Sequence, residues 1–193
     1  MLILASRSQT RQAMLTAAGI AFEARPAPID EIAVKEALTE EGHPPRAVAD
    51  ALAELKALRV RAPGLVLGCD QVLDHEGTIL SRPQAPAEAV ARLTMLAGGR
   101  HRLHTAIVAA EEGRPVWRHV ATVTMIMRPL SSGYIEDYVS RNWDSVRGTP
   151  GAYLVEAEGA RLFHRIEGDH FAVLGLPLLP LVDFLVTRGE LAA

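Results

Sequence analysis

The run Leu65-Val66-Leu67-Gly68-Cys69 constrains this chain more than any other segment. Five apolar or small residues without polar alternation read as a fully buried strand, with Asp70 standing at its end. Leu2-Ile3-Leu4-Ala5 reads as a second short buried strand. Ser6 and Ser8, apolar positions at Ala13, Met14, Leu15 and Ala18, and then Gly19 give a cap, a helix and a glycine stop. Ala21 to Ala24 reads as a strand, followed by a turn-rich loop from Pro26 that ends in Asp30-Glu31. A helix is expected from about Pro45 to Val60, with Val48, Ala51, Leu52 and Leu55 on one side. The segment from Val72 to Leu80 holds a hairpin-like turn at Glu76-Gly77, and Pro86 to Leu96 reads as a helix. Leu103 to Ala110 and Val116 to Met127 flank Glu111-Glu112-Gly113 as an antiparallel pair. Ser131-Ser132 opens a helix towards Val139. Strands near Tyr153-Leu154-Val155 and Leu162-Phe163 precede a final helix from about Pro177. Short crossovers together with hairpins predict an α/β fold, a three-layer arrangement of a mixed β-sheet with flanking helices.

Composition narrows the function. The 193 residues are enough for one sizeable core, and a single domain over 1–193 is expected. Apolar residues make up 49% and charged residues 22%, which excludes a disordered chain. A net charge of -3 with only 5% aromatics argues against a nucleic-acid binder, which needs a basic field and stacking platforms. Cys69 is the only cysteine, so no internal disulfide forms and a reducing compartment fits. The apolar run at the start is too short for a secretory signal, and Phe171 to Val186 is too interrupted for a membrane span. A cytoplasmic protein is the expectation.

The chemistry gathers at element ends. Leu4 to Arg11 feeds hydroxyls and cations into a helix start, where free N–H groups and the helix dipole favour an anion. Arg11 either grips phosphate oxygens in pairs or lies solvated behind a plain serine cap formed by Ser6 and Ser8. Asp30-Glu31 is either a solvated acidic pair or a source of carboxylate oxygens for Mg²⁺. Lys56 is either a snorkelling surface lysine or a cation turned to a ligand. Asp70, beyond a buried strand, either caps a turn or holds a metal and takes a proton from water. Arg82, fixed by Pro83, adds another cation. Cys69 lies in a buried strand, where a thiol is ordinarily inert packing. His101 and His104 are three apart in a strand, which puts them on opposite faces and disfavours a shared metal.

Taken in order, these segments resemble the Maf (septum-formation-like) family. The resemblance rests on Leu4 to Arg11, Asp30-Glu31, Lys56, Gly68-Cys69-Asp70-Gln71-Val72, Arg82-Pro83 and Leu96 to Thr105. It continues through Pro150-Gly151-Ala152-Tyr153, Ile166-Glu167-Gly168-Asp169 and Gly175-Leu176-Pro177-Leu178, and so covers essentially the whole chain. It implies a fold similar to the inosine-triphosphate pyrophosphatases, a homodimer, and hydrolysis of a nucleoside triphosphate to the monophosphate and pyrophosphate. It also implies a divalent cation, Mg²⁺ or Mn²⁺. On this resemblance Asp70 accepts the proton of the attacking water, Glu31 and Asp70 hold the metal, and Arg11, Lys56 and Arg82 neutralise phosphate charge beside Ser6 and Ser8. Thr10, Gln71 and Glu156 match the positions that select the base. Gln71 and Glu156 resemble the branch acting on 7-methyl-GTP, whereas Thr10 has neither that branch's tryptophan nor the arginine of the dTTP/UTP branch. A modified guanine and a pyrimidine are therefore rival substrates. Two further departures are Gln9-Thr10 in place of Pro-Arg and Arg82 in place of lysine. The rival reading from another class is a non-catalytic nucleotide-binding regulator of cell division, which would bind nucleotide without releasing pyrophosphate.

Overall fold

The computed structural model describes residues 1–192. Seven strands form a mixed sheet: β1 (Leu2–Leu4), β2 (Glu23–Ala24), β3 (Leu65–His75), β4 (Thr78–Leu80), β5 (Arg100–Glu111), β6 (Arg114–Met127) and β7 (Phe163–Glu167). Their order is β2-β1-β3-β5-β6-β7, with β4 paired to β3. β1 runs parallel to β2 and β3, whereas β4 on β3 and β7 on β6 are antiparallel. The helices are α1 (Gln9–Ala17), α2 (Glu31–Glu40), α3 (Pro45–Arg59), α4 (Pro86–Leu96), α5 (Ser132–Val146), α6 (His170–Val173) and α7 (Leu178–Thr187). None is long and apolar enough to cross a membrane among the described residues.

Two compact units divide the chain. The first comprises residues 1–71, 104–122 and the stretch from Asp169, and the second comprises 72–103 and 123–168. In the first unit the sheet is covered on both faces. Leu4, Leu67, Cys69, Ile107 and Ala109 pack with Met14 and Leu15 of α1 and with Leu178, Leu181 and Leu185 of α7. Ile3, Ala5 and Val66 point to the other face and pack with Val60, just beyond α3. The strand period of two sends neighbours to opposite sides, which is why an uninterrupted apolar run suits this position. The three-layer α/β reading holds here.

Several local expectations need correction. The Asp30-Glu31 loop is the start of a helix: Asp30 is the N-cap of α2, and its carboxylate accepts from the N–H groups of Ile32 and Ala33. β3 does not stop before Asp70 but continues to His75, because Val72 and Leu73 extend the apolar run into a hairpin with β4. The Tyr153 segment is a turn, since a strand there is broken by Ala152 at φ 56° and by the 3₁₀ turn Glu158–Leu162 that follows. Four-residue α6 is too short for a helical period to show in the sequence. Glu112-Gly113, both at positive φ, closes the expected β5–β6 hairpin in the primed-turn geometry.

In the second unit α4 packs on α5. Tyr153, Phe163 and His101 form an aromatic cluster, with the Tyr153 ring edge-on to Phe163 at 4.8 Å. His101 is 2% exposed, its Nε2 is 2.6 Å from the Tyr153 hydroxyl, and its Nδ1 has no hydrogen-bond partner among the described residues. Burial, with a smaller contribution from His75, pushes its pKa down to about 4. The unfolded chain therefore binds more protons than the folded one between pH about 6.5 and about 4. Stability carried by neutral His101 is complete above pH about 6.5 and is lost as pH falls through this window, by about 3 kcal/mol. Urea denaturation from pH 7 to pH 4 should show this decline, and His101→Gln should flatten it. An equal decline in the variant would refute the assignment.

Candidate active site

One strand and the helix packed on it build the centre of the site. Gly68 and Asp70 lie on the α3 face of β3. A Cβ on Gly68 would fall inside contact distance of the Ala53 carbonyl oxygen and the Ala57 nitrogen. Only glycine lets the α3 backbone come this close. The buried stripe of α3 runs Val48, Ala49, Leu52, Ala53, Lys56 and Ala57, so Lys56 occupies a core position rather than the surface. Its Nζ donates to Asp70 Oδ1 at 2.7 Å and pairs with Glu31 Oε2 at 3.0 Å. Lys56 and Asp70 are each 5% exposed, while Glu31, the first residue of α2, is at the surface. Two charges taken out of water need each other, and this pair also carries one orphan: Asp70 Oδ2 is buried with no hydrogen-bond partner among the described residues.

The other face of β3 is a hydrogen-bonding face. The Cys69 thiol donates to the Gly175 carbonyl at 3.1 Å, and burial pushes that thiol's pKa up, in keeping with an inert packing cysteine. Gln71 Nε2 donates to the carbonyls of Ala172 (2.8 Å) and Val173 (3.1 Å) and to Thr105 Oγ1 (2.9 Å). Backbone carbonyls only accept, so they fix which end of the Gln71 amide is nitrogen. Strand alternation thus turns Gln71 away from the face that carries Asp70, although the two are sequence neighbours.

Arg11 joins α1 to both segments. β1 ends at Leu4, opposite Leu67, and the Cys69 carbonyl beyond it accepts from Arg11 Nη1 at 3.0 Å. The same nitrogen donates to Ser6 Oγ at 3.2 Å, and Nε donates to the Gly175 carbonyl at 2.7 Å. Gly175 sits at φ 99°, a conformation that favours glycine, with the guanidinium about a van der Waals contact from where a Cβ would stand. Arg11 Nη2 is left without a partner among the described residues. Ser8 is the N-cap of α1 and accepts from Arg11 N at 3.3 Å; buried Ser6 accepts from Ser8 N at 3.2 Å. Thr10 is half-buried in the first turn of α1.

Ser6, Ser8, Thr10, Arg11, Glu31, Lys56, Asp70 and Gln71 all fall in the first unit, while Arg82 and Glu156 belong to the second. Arg82 is exposed between β4 and α4. Glu156 is exposed in a turn and not on the expected strand. Sequence reasoning missed the supporting roles of Thr105, Gly68 and Gly175. A glycine inside an apolar strand was the available signal for Gly68, because it marks close backbone approach; nothing local marks a carbonyl at Gly175 as the partner of Arg11, 164 residues away.

The fold and this polar centre define an α/β protein whose long strand presents a buried acid to a lysine on the covering helix. Sequence comparison places it more narrowly. The family described as Maf-like protein matches residues 1–188, and the chain belongs to that family. A nucleoside triphosphate pyrophosphatase of Roseobacter denitrificans is 52% identical over 98% of this chain and 97% of its own length. One of Ruegeria pomeroyi is 52% identical over 97% and 96%. A 7-methyl-GTP pyrophosphatase of Rhizobium meliloti is 44% identical over 100% and 98%.

Gly68 generates a direct test. Gly68→Ala should displace α3, lower stability by about 1–3 kcal/mol and separate Lys56 from Asp70. Chemical denaturation should detect the loss. An unchanged unfolding midpoint would show that α3 does not need the close approach.

Proposed function

We propose that this chain hydrolyses a nucleoside triphosphate to the monophosphate and pyrophosphate, the activity that the names of its relatives describe for them. The observation that supports the chemistry best is the buried Asp70 oxygen without a hydrogen-bond partner among the described residues, beside a lysine that holds its twin. Such an atom is costly unless a ligand completes it. Asp70 and Glu31 are linked through Lys56, and no third His, Cys, Asp or Glu joins them among the described residues. That donor set fits Mg²⁺ or Mn²⁺, since Mg²⁺ uses one or two carboxylates and takes its other oxygens from phosphates and water. Glu31 and Asp70 would hold the ion, which neutralises triphosphate charge when bound.

Asp70 takes the proton of a water whose oxygen bonds to the α-phosphorus. The bond from that phosphorus to the bridging oxygen breaks, and pyrophosphate leaves. Lys56, the free Nη2 of Arg11 and the Ser6–Ser8 helix start meet the phosphate charge, and Arg82 adds a further cation. Phosphoryl chemistry is largely positioning and charge stabilisation, which these groups supply. Thr10, Gln71 and Glu156 are assigned to base selection, with a modified guanine or a pyrimidine as the base. The whole of residues 1–193 acts as one catalytic domain, as a cytoplasmic homodimer.

The deciding experiment incubates a panel of ordinary and modified nucleoside triphosphates with Mg²⁺ or Mn²⁺ and follows products by phosphorus NMR. Monophosphate and pyrophosphate are expected, with label from ¹⁸O-water in the monophosphate. Diphosphate and orthophosphate would mean attack at the γ-phosphorus, and binding without products would favour the regulator. Asp70→Asn keeps the side-chain shape but cannot accept the proton, so kcat should fall roughly 100- to 10,000-fold with the circular dichroism spectrum retained. Near-normal turnover would remove Asp70 from this role.

A further inference from the structure

The segment Ser81-Arg82-Pro83-Gln84 has its backbone tied at three points. The Ser81 carbonyl accepts from Arg92 Nη1 at 2.8 Å, and the Arg82 carbonyl accepts from Gln84 Nε2 at 3.0 Å. The Gln84 N–H donates to Glu88 Oε2 at 2.8 Å, which anchors the segment to the first turn of α4. The Arg82 guanidinium, by contrast, is exposed and has no hydrogen bond or ion pair among the described residues. A clamped backbone thus carries an unpaired cation.

Arg92 does more than hold Ser81. The same Nη1 also donates to the Pro150 carbonyl at 2.5 Å, so one nitrogen bridges two loops far apart in sequence. Pro150 begins a tight turn, in which the Tyr153 ring fills the space that a side chain at Gly151 would need. His101 in turn holds the Tyr153 hydroxyl. The path from the aromatic cluster to the backbone of Arg82 passes through Arg92, a half-buried residue of α4.

We infer that Arg92 is a positioning residue that sets the Arg82 backbone against the Pro150 turn and so preorganises the Arg82 cation for substrate phosphate. The inference rests on the reading of Arg82 as a phosphate ligand. Holding a charge in place before the substrate arrives removes an ordering cost from binding and reaction. Lysine carries the same charge, but its stem ends one atom short of the arginine Nη and cannot reproduce the forked geometry.

The test is a double-mutant cycle on the full chain, read as kcat/KM for pyrophosphate release and as amide hydrogen exchange. Arg92→Met should lower kcat/KM about tenfold and speed exchange of the hydrogen-bonded Gln84 and Ala152 amides, one in each loop. Arg92→Lys should recover only a small part of the loss. In an Arg82→Ala background, Arg92→Met should cost less than about twofold, because the group it positions is already gone. Full additivity, full rescue by lysine, or unchanged exchange in both loops would overturn the positioning role. A silent Arg82→Ala would instead sink the reading of Arg82 itself and, with it, this inference.

Discussion

Close approach of α3 to β3 at Gly68 is the constraint on which the site depends. It brings a helix backbone into contact with a strand backbone, where side chains ordinarily keep them apart. Lys56 lies one turn beyond Ala53 on the buried stripe, and Asp70 lies two residues beyond Gly68 on the facing side. The two charges meet in a place from which water is largely excluded. Removing Lys56 would leave Asp70 as an uncompensated buried charge, which is far costlier than losing a surface pair, whereas removing Asp70 would leave Lys56 only its ion pair to the exposed Glu31. Lys56 also stands in the last turn of α3, where the helix dipole favours a cation.

The reverse face of β3 is held by a different device. The turn from Ala172 to Gly175 presents backbone carbonyls, and side chains of Cys69, Gln71, Thr105 and Arg11 donate to them. Buried carbonyls need donors, and here the donors come from β3, β5 and α1 rather than from a neighbouring strand. One strand therefore has an ionic side and a hydrogen-bonded side, and its alternation keeps them separate. The same turn locks the Gln71 amide nitrogen, leaving only its oxygen to meet anything else.

The second unit follows the same economy of carbonyl satisfaction. Arg92 completes two loop carbonyls, and Asn142 and Arg141 share Glu158 at the start of the 3₁₀ turn. Hydrogen bonds from both hold the Glu158 carboxyl below the usual range. Buried tyrosines Tyr138 and Tyr153 are pushed well above the ordinary phenol range by burial, so their hydroxyls remain protonated hydrogen-bonding groups.

What the sequence determined by itself was the periodic part of the molecule. The uninterrupted apolar run before Asp70, the helix from Pro45, the Glu112-Gly113 turn and the Ser8 cap are written in neighbouring residues, because strand alternation, helical spacing and turn chemistry act over a few positions. The ordered motifs likewise sufficed to place the chain in its family. Tertiary structure decided whether Lys56 is a surface snorkel or a core cation, since only the packing of α3 on Gly68 removes its head group from water. It also decided that Asp70 and Gln71, adjacent in sequence, face different surroundings, and that Glu156 stands on a turn. Those facts depend on carbonyls and helices supplied from distant parts of the chain, and no local pattern encodes a partner that arrives only when the chain folds.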